Sequence, residues 1–164
     1  MTQRLLIFLI VIALFGGCTK DDICSEDTPT TPLLYIEFRN INDREATKQV
    51  SNLEVRLDDG SETVVEAAFS GTELFLPLDT ESTNSFFQFI LDSTNEDTAN
   101  SDQVGFNYMT ENLYVNRACA FKAVYTELVA LVEEEPLNGN WIEDFELLTT
   151  RVEDETSVHL YIYH

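Results

Sequence analysis

The stretch Leu53-Glu54-Val55-Arg56-Leu57-Asp58-Asp59-Gly60 predicts the first half of a β-hairpin and decides the fold class. Its apolar residues alternate with charged ones, which is the period of a strand with one face in a core and one in water. The Asp-Gly dipeptide suits the positive φ angles of a two-residue type I′ turn. A return strand then carries Val65, Ala67 and Phe69 on its inner side. This region is therefore predicted to be an antiparallel hairpin.

Similar segments recur at intervals of about ten residues, separated by turn residues, as in antiparallel sandwiches and barrels. They cover residues 33–39, 74–78, 86–91, 104–108, 141–149 and 158–164, the last two forming a closing hairpin turned near residues 153–155. Pro77 lacks the amide hydrogen that a ladder needs, which places its strand at a sheet edge. A polar loop is expected over residues 92–102. The predicted fold class is all-β, an antiparallel β-sandwich, immunoglobulin-like or similar, of about 7–9 strands.

Residues 118–132 leave two interpretations open. Six apolar residues follow the spacing of one face of a helix, namely Phe121, Val124, Tyr125, Leu128, Val129 and Val132. This periodicity alone favours a single amphipathic helix over 118–132. A strand interrupted by a bulge or tight turn at Thr126-Glu127 also fits, because it places alternate residues of both halves on one face.

The N-terminal residues resemble the start of a bacterial lipoprotein precursor. Arg4 precedes an apolar run over residues 5–15, followed by Gly16-Gly17-Cys18, with Phe15 where such motifs usually have Leu. The run is roughly half of the ~20 residues that span a ~30 Å hydrocarbon core, so a processed signal fits better than a transmembrane helix. We expect residues 1–17 to be a signal peptide and Cys18 to carry acyl chains such as palmitate.

The residues after Cys18 bear on where the protein is delivered. Thr19 is not the Asp that holds many lipoproteins at the inner membrane, so an outer-membrane lipoprotein is expected. Lys20, Asp21 and Asp22 resemble the Lys-acidic-acidic export signal of Bacteroidota lipoproteins, which favours a cell-surface location; the alternative is a charged, solvated tether. Residues 18–32, rich in Thr, Asp and Pro, are predicted to form the lipidated tether, and residues 33–164 the β-sandwich domain.

The charge of the chain restricts its partners. Thirty acidic residues against nine basic ones give a formal net charge of −21. Affinity for nucleic acid comes from Lys and Arg that neutralise phosphates, so we expect no nucleic-acid partner. Cations, basic proteins and neutral glycans are compatible with such a surface, although solubility through self-repulsion explains it equally simply.

Two cysteines remain once Cys18 is assigned to the lipid. Cys24 and Cys119 are separated by 95 positions, and a leftover pair in an exported protein most often forms a disulfide. The chain-entropy model gives a bridge of this span up to about 4–5 kcal/mol of stabilisation. The predicted bridge joins the start of the domain to a late strand.

The sequence contains few patterns typical of catalytic or metal-binding sites. His159 and His164 are five positions apart, so in a strand they point to opposite faces and do not converge on one metal. The chain has no Gly-x-Ser-x-Gly and no Gly-rich phosphate loop. Residues 92–97 are rich in oxygen ligands but lack the Gly and Glu of an EF-hand. We therefore expect no enzyme activity, no cofactor and no metal site.

The same polar loop contains two short modification motifs. Asp92-Ser93-Thr94 and Asp97-Thr98-Ala99 resemble the acceptor motif for O-glycosylation in Bacteroidota, with Ser93 and Thr98 as acceptors. An unmodified polar loop is the alternative, because a three-residue motif is common.

Short motifs along the chain resemble an uncharacterised family of Bacteroidota lipoproteins, a domain of unknown function. They are Cys24, Leu76-Pro77-Leu78, residues 117–122, Asn140-Trp141-Ile142 and residues 160–163. The resemblance implies an all-β fold, and hence a strand near Cys119 to Tyr125. Ala120 stands where relatives tend to have Gly, a residue that readily adopts positive φ. No activity is known for the family, so the resemblance implies nothing about the activity of this chain.

These observations lead to an expected role. We expect a lipid-anchored accessory protein of the cell envelope that is not an enzyme and binds an envelope protein. The alternative is a module for a glycan or small ligand, for which Trp141, Tyr161 and Tyr163 are the candidate aromatic platform. Aromatic residues in strands more often serve core or cross-strand packing.

Overall fold

The structure, a computed structural model, describes residues 23–61, 63–134 and 139–164, and these fold into two β-sheets without a helix. Ten strands lie in these ranges: β1 Leu34–Asn40, β2 Asp43–Thr47, β3 Val50–Leu57, β4 Val64–Gly71, β5 Glu73–Leu76, β6 Asn84–Leu91, β7 Asn100–Asn116, β8 Ala120–Val132, β9 Asp144–Leu147 and β10 Leu160–Tyr163. The predicted all-β sandwich is confirmed. β2 is an additional strand: all its residues except Ala46 are exposed, so it lacks the alternating apolar signal.

The first sheet, sheet A, has the order β2-β1-β10-β9, and β5 pairs with β1. β10 runs parallel to β1, with Ile36 level with Leu160, whereas the other pairs are antiparallel. β5 pairs only with β1, so the strand before Pro77 is an edge strand as predicted. The predicted closing hairpin corresponds to β9 and β10.

The second sheet, sheet B, is antiparallel throughout and has the order β4-β3-β6-β7-β8. Alternate residues of both sheets point inward and form one core. The largest of its fully buried side chains include Phe38, Phe87, Phe89, Phe106 and Tyr125. Burial of apolar surface at roughly 25 cal/mol per Å² is the main driving force for this packing.

Residues 120–132 form strand β8, so the helix over 118–132 is wrong. Asn107 pairs with Val129, but Met109 pairs with Thr126, so β8 has one extra residue at this point. Glu127 occupies it with φ 54°. Such a bulge moves the buried face from odd to even positions, and the resulting spacing imitates helical periodicity. The alternative of a strand interrupted at Thr126-Glu127 is therefore correct.

The β3–β4 connection is longer than predicted. Leu57 donates a backbone hydrogen bond to Thr63 (2.9 Å), which excludes a two-residue turn at Asp59-Gly60. Gly60 does adopt positive φ, at 84°. The return strand is bulged at Ala68 (φ 50°), which leaves Ala67 exposed instead of inward.

Strand β7 begins inside the region predicted to be a polar loop. Asn100 starts the strand, and Asp102 is fully buried. The Asp102 carboxylate accepts hydrogen bonds from the backbone N–H groups of Trp141 (3.4 Å) and Ile142 (2.8 Å). Its burial is possible because these donors replace water. The carboxylate thereby fixes the chain entering β9.

The disulfide between Cys24 and Cys119 is present, with Cα atoms 5.0 Å apart. Cys119 lies in the β7–β8 turn, where the Asn116 side chain accepts hydrogen bonds from the N–H groups of Ala118 and Cys119. Ala120 has φ 57°, so the left-handed conformation is present even without glycine. The bridge therefore fastens the N-terminal segment to the turn of the longest hairpin in sheet B.

Candidate functional site

The outer face of sheet B carries an exposed apolar surface, here called the outer patch. It consists of Phe86 (37% exposed), Met109 (53%), Val129 (51%) and Leu131 (38%). Phe86, Gly105 and Leu131 lie side by side on neighbouring strands, and Val129 and Met109 follow toward the β7–β8 turn. Contiguous exposed apolar side chains of this kind mark interaction surfaces more often than isolated ones do.

Gly105 forms the floor of the outer patch. A Cβ atom at this position would lie 2.8 Å from Phe86 Cε1 and 2.9 Å from Leu131 Cδ1. The glycine therefore lets an aromatic ring and a leucine close over the backbone of β7, as glycine in a strand interior often does. The patch is a packed surface, and its side chains support one another.

A cleft of about 430 Å³ adjoins the patch at Phe86. It lies between the β3–β4 and β5–β6 loops and is lined by Leu57, Asp58, Asp59, Pro77, Leu78, Asp79, Ser82, Asn84, Ser85 and Phe86. The aspartates make one side of the cleft acidic. Hydrogen bonds from the Ser61 side chain and backbone hold the pKa of Asp59 below its usual range, so this carboxylate is ionised at neutral pH.

A buried hydroxyl network holds the wall of the cleft in place. The Tyr108 hydroxyl donates to the Asp79 carbonyl (2.8 Å), and Ser85 Oγ lies 2.7 Å from the Tyr108 oxygen. Since a phenol has one hydrogen, Ser85 is the donor to Tyr108. Tyr125 donates in the same way to the Leu78 carbonyl (2.9 Å), and its burial raises its pKa to about 12. The β5–β6 loop is therefore anchored to sheet B.

The candidate platform of Trp141, Tyr161 and Tyr163 does not form one surface. Trp141 is inside the sandwich, where its Nε1–H donates to the Phe89 carbonyl (3.1 Å). Its ring packs against Phe38, with centroids 6.4 Å apart. The structure assigns Trp141 to the core, in agreement with the packing alternative.

Tyr161 and Tyr163 lie on the outer face of sheet A, but arginines cover their rings. The guanidinium carbon of Arg39 is 3.5 Å from the Tyr161 ring centroid, and that of Arg44 is 4.1 Å from the Tyr163 centroid. The two tyrosine rings meet edge to face at an interplanar angle of 75°. These faces are engaged in cation–π contacts, so a sugar ring must displace an arginine to stack there.

The two histidines are both buried. His159 Nδ1 accepts a hydrogen bond from the Tyr35 N–H (2.9 Å). His164 packs edge-on against Phe38 and Trp141, and its Nε2 lies 3.2 Å from the Lys48 carbonyl. They contact different neighbours, so the structure does not bring them together.

Acidification is expected to destabilise the fold through the histidines. Burial lowers the pKa of His159 and of His164, so below pH ~6.5 the unfolded chain binds these protons more readily than the folded chain. Stability is therefore present at neutral pH and lost as the pH falls. His159→Asn keeps a side-chain acceptor for Tyr35 but cannot titrate, so its melting temperature should fall less between pH 7.5 and 5.5. Equal slopes for wild type and variant would contradict this.

The remaining predicted site residues fall in two places. Cys18, Lys20, Asp21 and Asp22 lie outside the described residues. In the 92–99 turn, the Ser93 hydroxyl donates to the Asn52 carbonyl (2.8 Å), whereas Thr98 is exposed. Thr98 is thus the more accessible of the two candidate acceptors.

Two absences hold for the part of the chain that the structure describes. It contains no group of three or more His, Cys, Asp or Glu side chains arranged to hold a metal ion. It also contains no helix of sufficient length and hydrophobicity to cross a membrane.

The outer patch was not predicted from the sequence, although the sequence contains a pattern that indicates it. Residues 86–91 are apolar at all but one position, so both faces of β6 are apolar, and Gly105 interrupts the neighbouring strand. An apolar outward face in an antiparallel strand departs from the usual inward/outward alternation. That departure, together with a strand glycine, is the pattern that could have located the patch.

The fold and surface define a β-sandwich protein with an apolar sheet face beside an acidic cleft. Within that class, the chain belongs to the Family of unknown function (DUF6452), whose model matches residues 50–164. No curated protein and no solved structure matches the chain. The matched region starts at the first residue of β3 and contains the patch, the cleft and Cys119, but not Cys24. The expected resemblance to a domain of unknown function is confirmed.

Proposed function

We propose that this chain is a lipid-anchored protein of the cell envelope whose β-sandwich binds another envelope protein and performs no catalysis. Support for the anchor comes from the sequence: the apolar run over residues 5–15, the small residues before Cys18 and the Thr- and Pro-rich tether after it. The Lys20-Asp21-Asp22 triplet supports delivery to the outer membrane and display at the surface of a Bacteroidota cell. With Thr98 accessible, O-glycosylation of the 92–99 turn is part of the same proposal.

The outer patch is the observation that carries the binding role. Its four side chains lie on strands of one sheet, so their backbone positions are fixed, and a partner that covers them orders only the side chains. Burial of such a surface between two proteins supplies the hydrophobic centre that specific interfaces use.

The surroundings of the patch point to the kind of partner. Glu127 and Glu133, both exposed, stand on β8 and directly after it, close to Val129 and Leu131 along the chain. Two basic side chains of this sheet face and its border are already engaged: Arg56 pairs with Glu54, and Arg151 pairs with Glu111 and Glu153. In a chain of net charge −21, this arrangement complements a protein with an apolar contact surface bordered by Lys and Arg.

The positions of the two histidines support the absence of catalysis. His159 uses Nδ1 to hold Tyr35, and His164 lies beside the Lys48 carbonyl, so both side chains contribute to the fold. A general base must reach its substrate, which these buried rings do not do.

Charge introduced into the patch is expected to weaken partner binding. A photo-crosslinking residue at position 129 should capture one envelope protein in cells, and the purified partner should bind the purified domain. Val129→Asp should weaken that binding by at least about tenfold, because it places a charge against the apolar centre of the interface. Val64→Asp is the matched control, since Val64 is similarly exposed (47%) but lies on edge strand β4. Equal affinity of the two variants would refute the patch as the binding surface.

The cleft supports a second candidate, a glycan or small polar ligand. It combines an aromatic ring, Phe86, with the carboxylates of Asp58, Asp59 and Asp79, the combination that binds sugar rings and their hydroxyl groups. Asp59→Asn separates the candidates, because Asp59 is an exposed loop residue of the cleft and not part of the patch. If Asp59→Asn weakens binding and Val129→Asp does not, the cleft and not the outer patch is the binding site.

A further inference from the structure

The turn end of the β7–β8 hairpin exposes aromatic side chains that the core does not use. Tyr114 and Phe121 face each other across the two strands and are each 62% exposed. Their ring centroids are 5.5 Å apart in an edge-to-face arrangement. Leu113, on the opposite side of the hairpin, is 38% exposed. We call residues 113–122 the hairpin tip. Tyr114 combines an apolar ring with a polar hydroxyl, a combination favoured at membrane–water interfaces, and Phe121 adds an apolar ring.

The disulfide places the hairpin tip close to the proposed lipid anchor. Cys119 is in the tip, and its bonded partner Cys24 follows Cys18 by six positions. An extended chain covers at most ~3.6 Å per residue, so Cys18 lies within roughly 20 Å of Cys24. Ile23, next to the bridge, is 81% exposed and adds a further apolar group at this end. A lipid on Cys18 therefore holds the tip near the bilayer surface.

The charge of the hairpin tip differs from that of the rest of the chain. Residues 113–122 contain Arg117 and Lys122 and no Asp or Glu, although the chain as a whole has a net charge of −21. Acidic groups lie nearby in the tether, at Glu26 and Asp27, and in the segment beside β8, at residues 153–155. Arginine and lysine near a bilayer are attracted to anionic headgroups. Because these acidic groups outnumber the two basic ones, the contact with a bilayer depends on the apolar side chains of the tip and on the nearby anchor, not on charge.

We propose that the hairpin tip is a membrane-contact surface, with Tyr114 and Phe121 seated among lipid headgroups beside the lipid anchor. The inference rests on the proposed lipidation of Cys18. It gives the domain one orientation, with the hairpin pointing toward the bilayer. The outer patch and the cleft lie further along sheet B, so they remain accessible to a partner.

The test measures the depth of an introduced tryptophan. Full-length lipidated protein carrying Tyr114→Trp is reconstituted into phosphatidylcholine/phosphatidylglycerol vesicles with and without brominated acyl chains. Bromine quenches the fluorescence of nearby tryptophan. After the emission of buried Trp141 is subtracted, the emission of the introduced tryptophan should fall by about half in brominated vesicles. Phe121→Trp should behave alike, and it replaces the first variant if that one does not fold.

Val64→Trp is the matched control. Val64 pairs with Arg56, Arg56 with Gln88 and Gln88 with Gln103, so Val64 is level with Gln103 of β7. Gln103 is about eleven positions from Tyr114 along this strand, which corresponds to roughly 35 Å. It should show no quenching beyond wild type. If both tip variants also show no quenching on protein that floats with the vesicles, the membrane contact is refuted. This outcome includes the case in which the tip packs on a second copy of the chain. Protein that does not float would overturn the lipid anchor itself.

Discussion

Cys18→Ala is expected to remove the protein completely from the membrane fraction while the domain remains folded. Each buried methylene of an acyl chain contributes about 0.8 kcal/mol, so two or three chains make binding almost permanent, and their loss leaves no comparable anchor. The described core begins at Leu34 and involves no residue near position 18. Detergent-phase partitioning measures the anchor, and circular dichroism of the released protein measures the fold.

The matched variant replaces Lys20, Asp21 and Asp22 together by alanine. It should stay in the detergent phase, because acylation reads the residues up to Cys18, but it should become resistant to protease added to whole cells. Retention of Cys18→Ala in the detergent phase would show that the apolar run is the anchor. If protease cleaves the wild type and the triple variant equally, the triplet is only part of a solvated tether and not an export signal.

Loss of the disulfide should have the second largest effect. Replacing Cys24 and Cys119 by serine frees a loop spanning 95 positions, which the chain-entropy model equates with up to about 4–5 kcal/mol. For a domain of this size the melting temperature should fall by roughly 10–20 °C. Thermal unfolding followed by circular dichroism gives the value.

A chemical control accompanies the serine variant. Reductant should lower the melting temperature of the wild type to that of the double variant and leave the variant unchanged. A wild type that is insensitive to complete reduction would mean that contacts of the tether, such as the bond from the Ala123 N–H to Thr31 Oγ1 (3.0 Å), hold the segment without the bridge.

The sequence predicted the inward positions of the strands well, because burial on one face leaves a period of two. Leu34, Ile36 and Phe38 are all fully buried, as their alternation requires. Strand β2 could not be found in this way, since it pairs with β1 only at its two ends and has no buried residue. Its position depends on the β1 turn and on Arg44, which contacts Asp144 and the Tyr163 ring.

Strand β8 shows why periodicity alone misleads. The extra residue at Glu127 shifts the inward side chains from Tyr125 to Leu128, a spacing of three that a helix also produces. A helix and a bulged strand can be distinguished only if the partner strand is known. The partner is β7, which lies earlier in the chain and has its own strand pattern. Pairing between strands is a tertiary contact, which a local pattern does not contain.

Prediction of the candidate site also required knowledge of the pairing between strands. Trp141 carries an aromatic ring and a donor, as a ligand-binding residue does, but the Phe89 carbonyl and the core use both. Tyr161 is half-buried because Arg39 of a neighbouring strand lies over it. Composition identifies such side chains, whereas the register between strands decides which of them remain available.

The parallel pairing of β1 with β10 has a consequence for how the chain reaches its native state. Ile36 must find Leu160, whereas sheet B is built largely from strands that are neighbours in sequence. Contacts between distant positions slow folding because the chain entropy of closing the loop is lost before the contact is gained. We expect the hairpins of sheet B to form first and sheet A to close only after β10 has been synthesised. Until then β1 has an unpaired edge, and a chaperone that shields exposed strands would act in that interval.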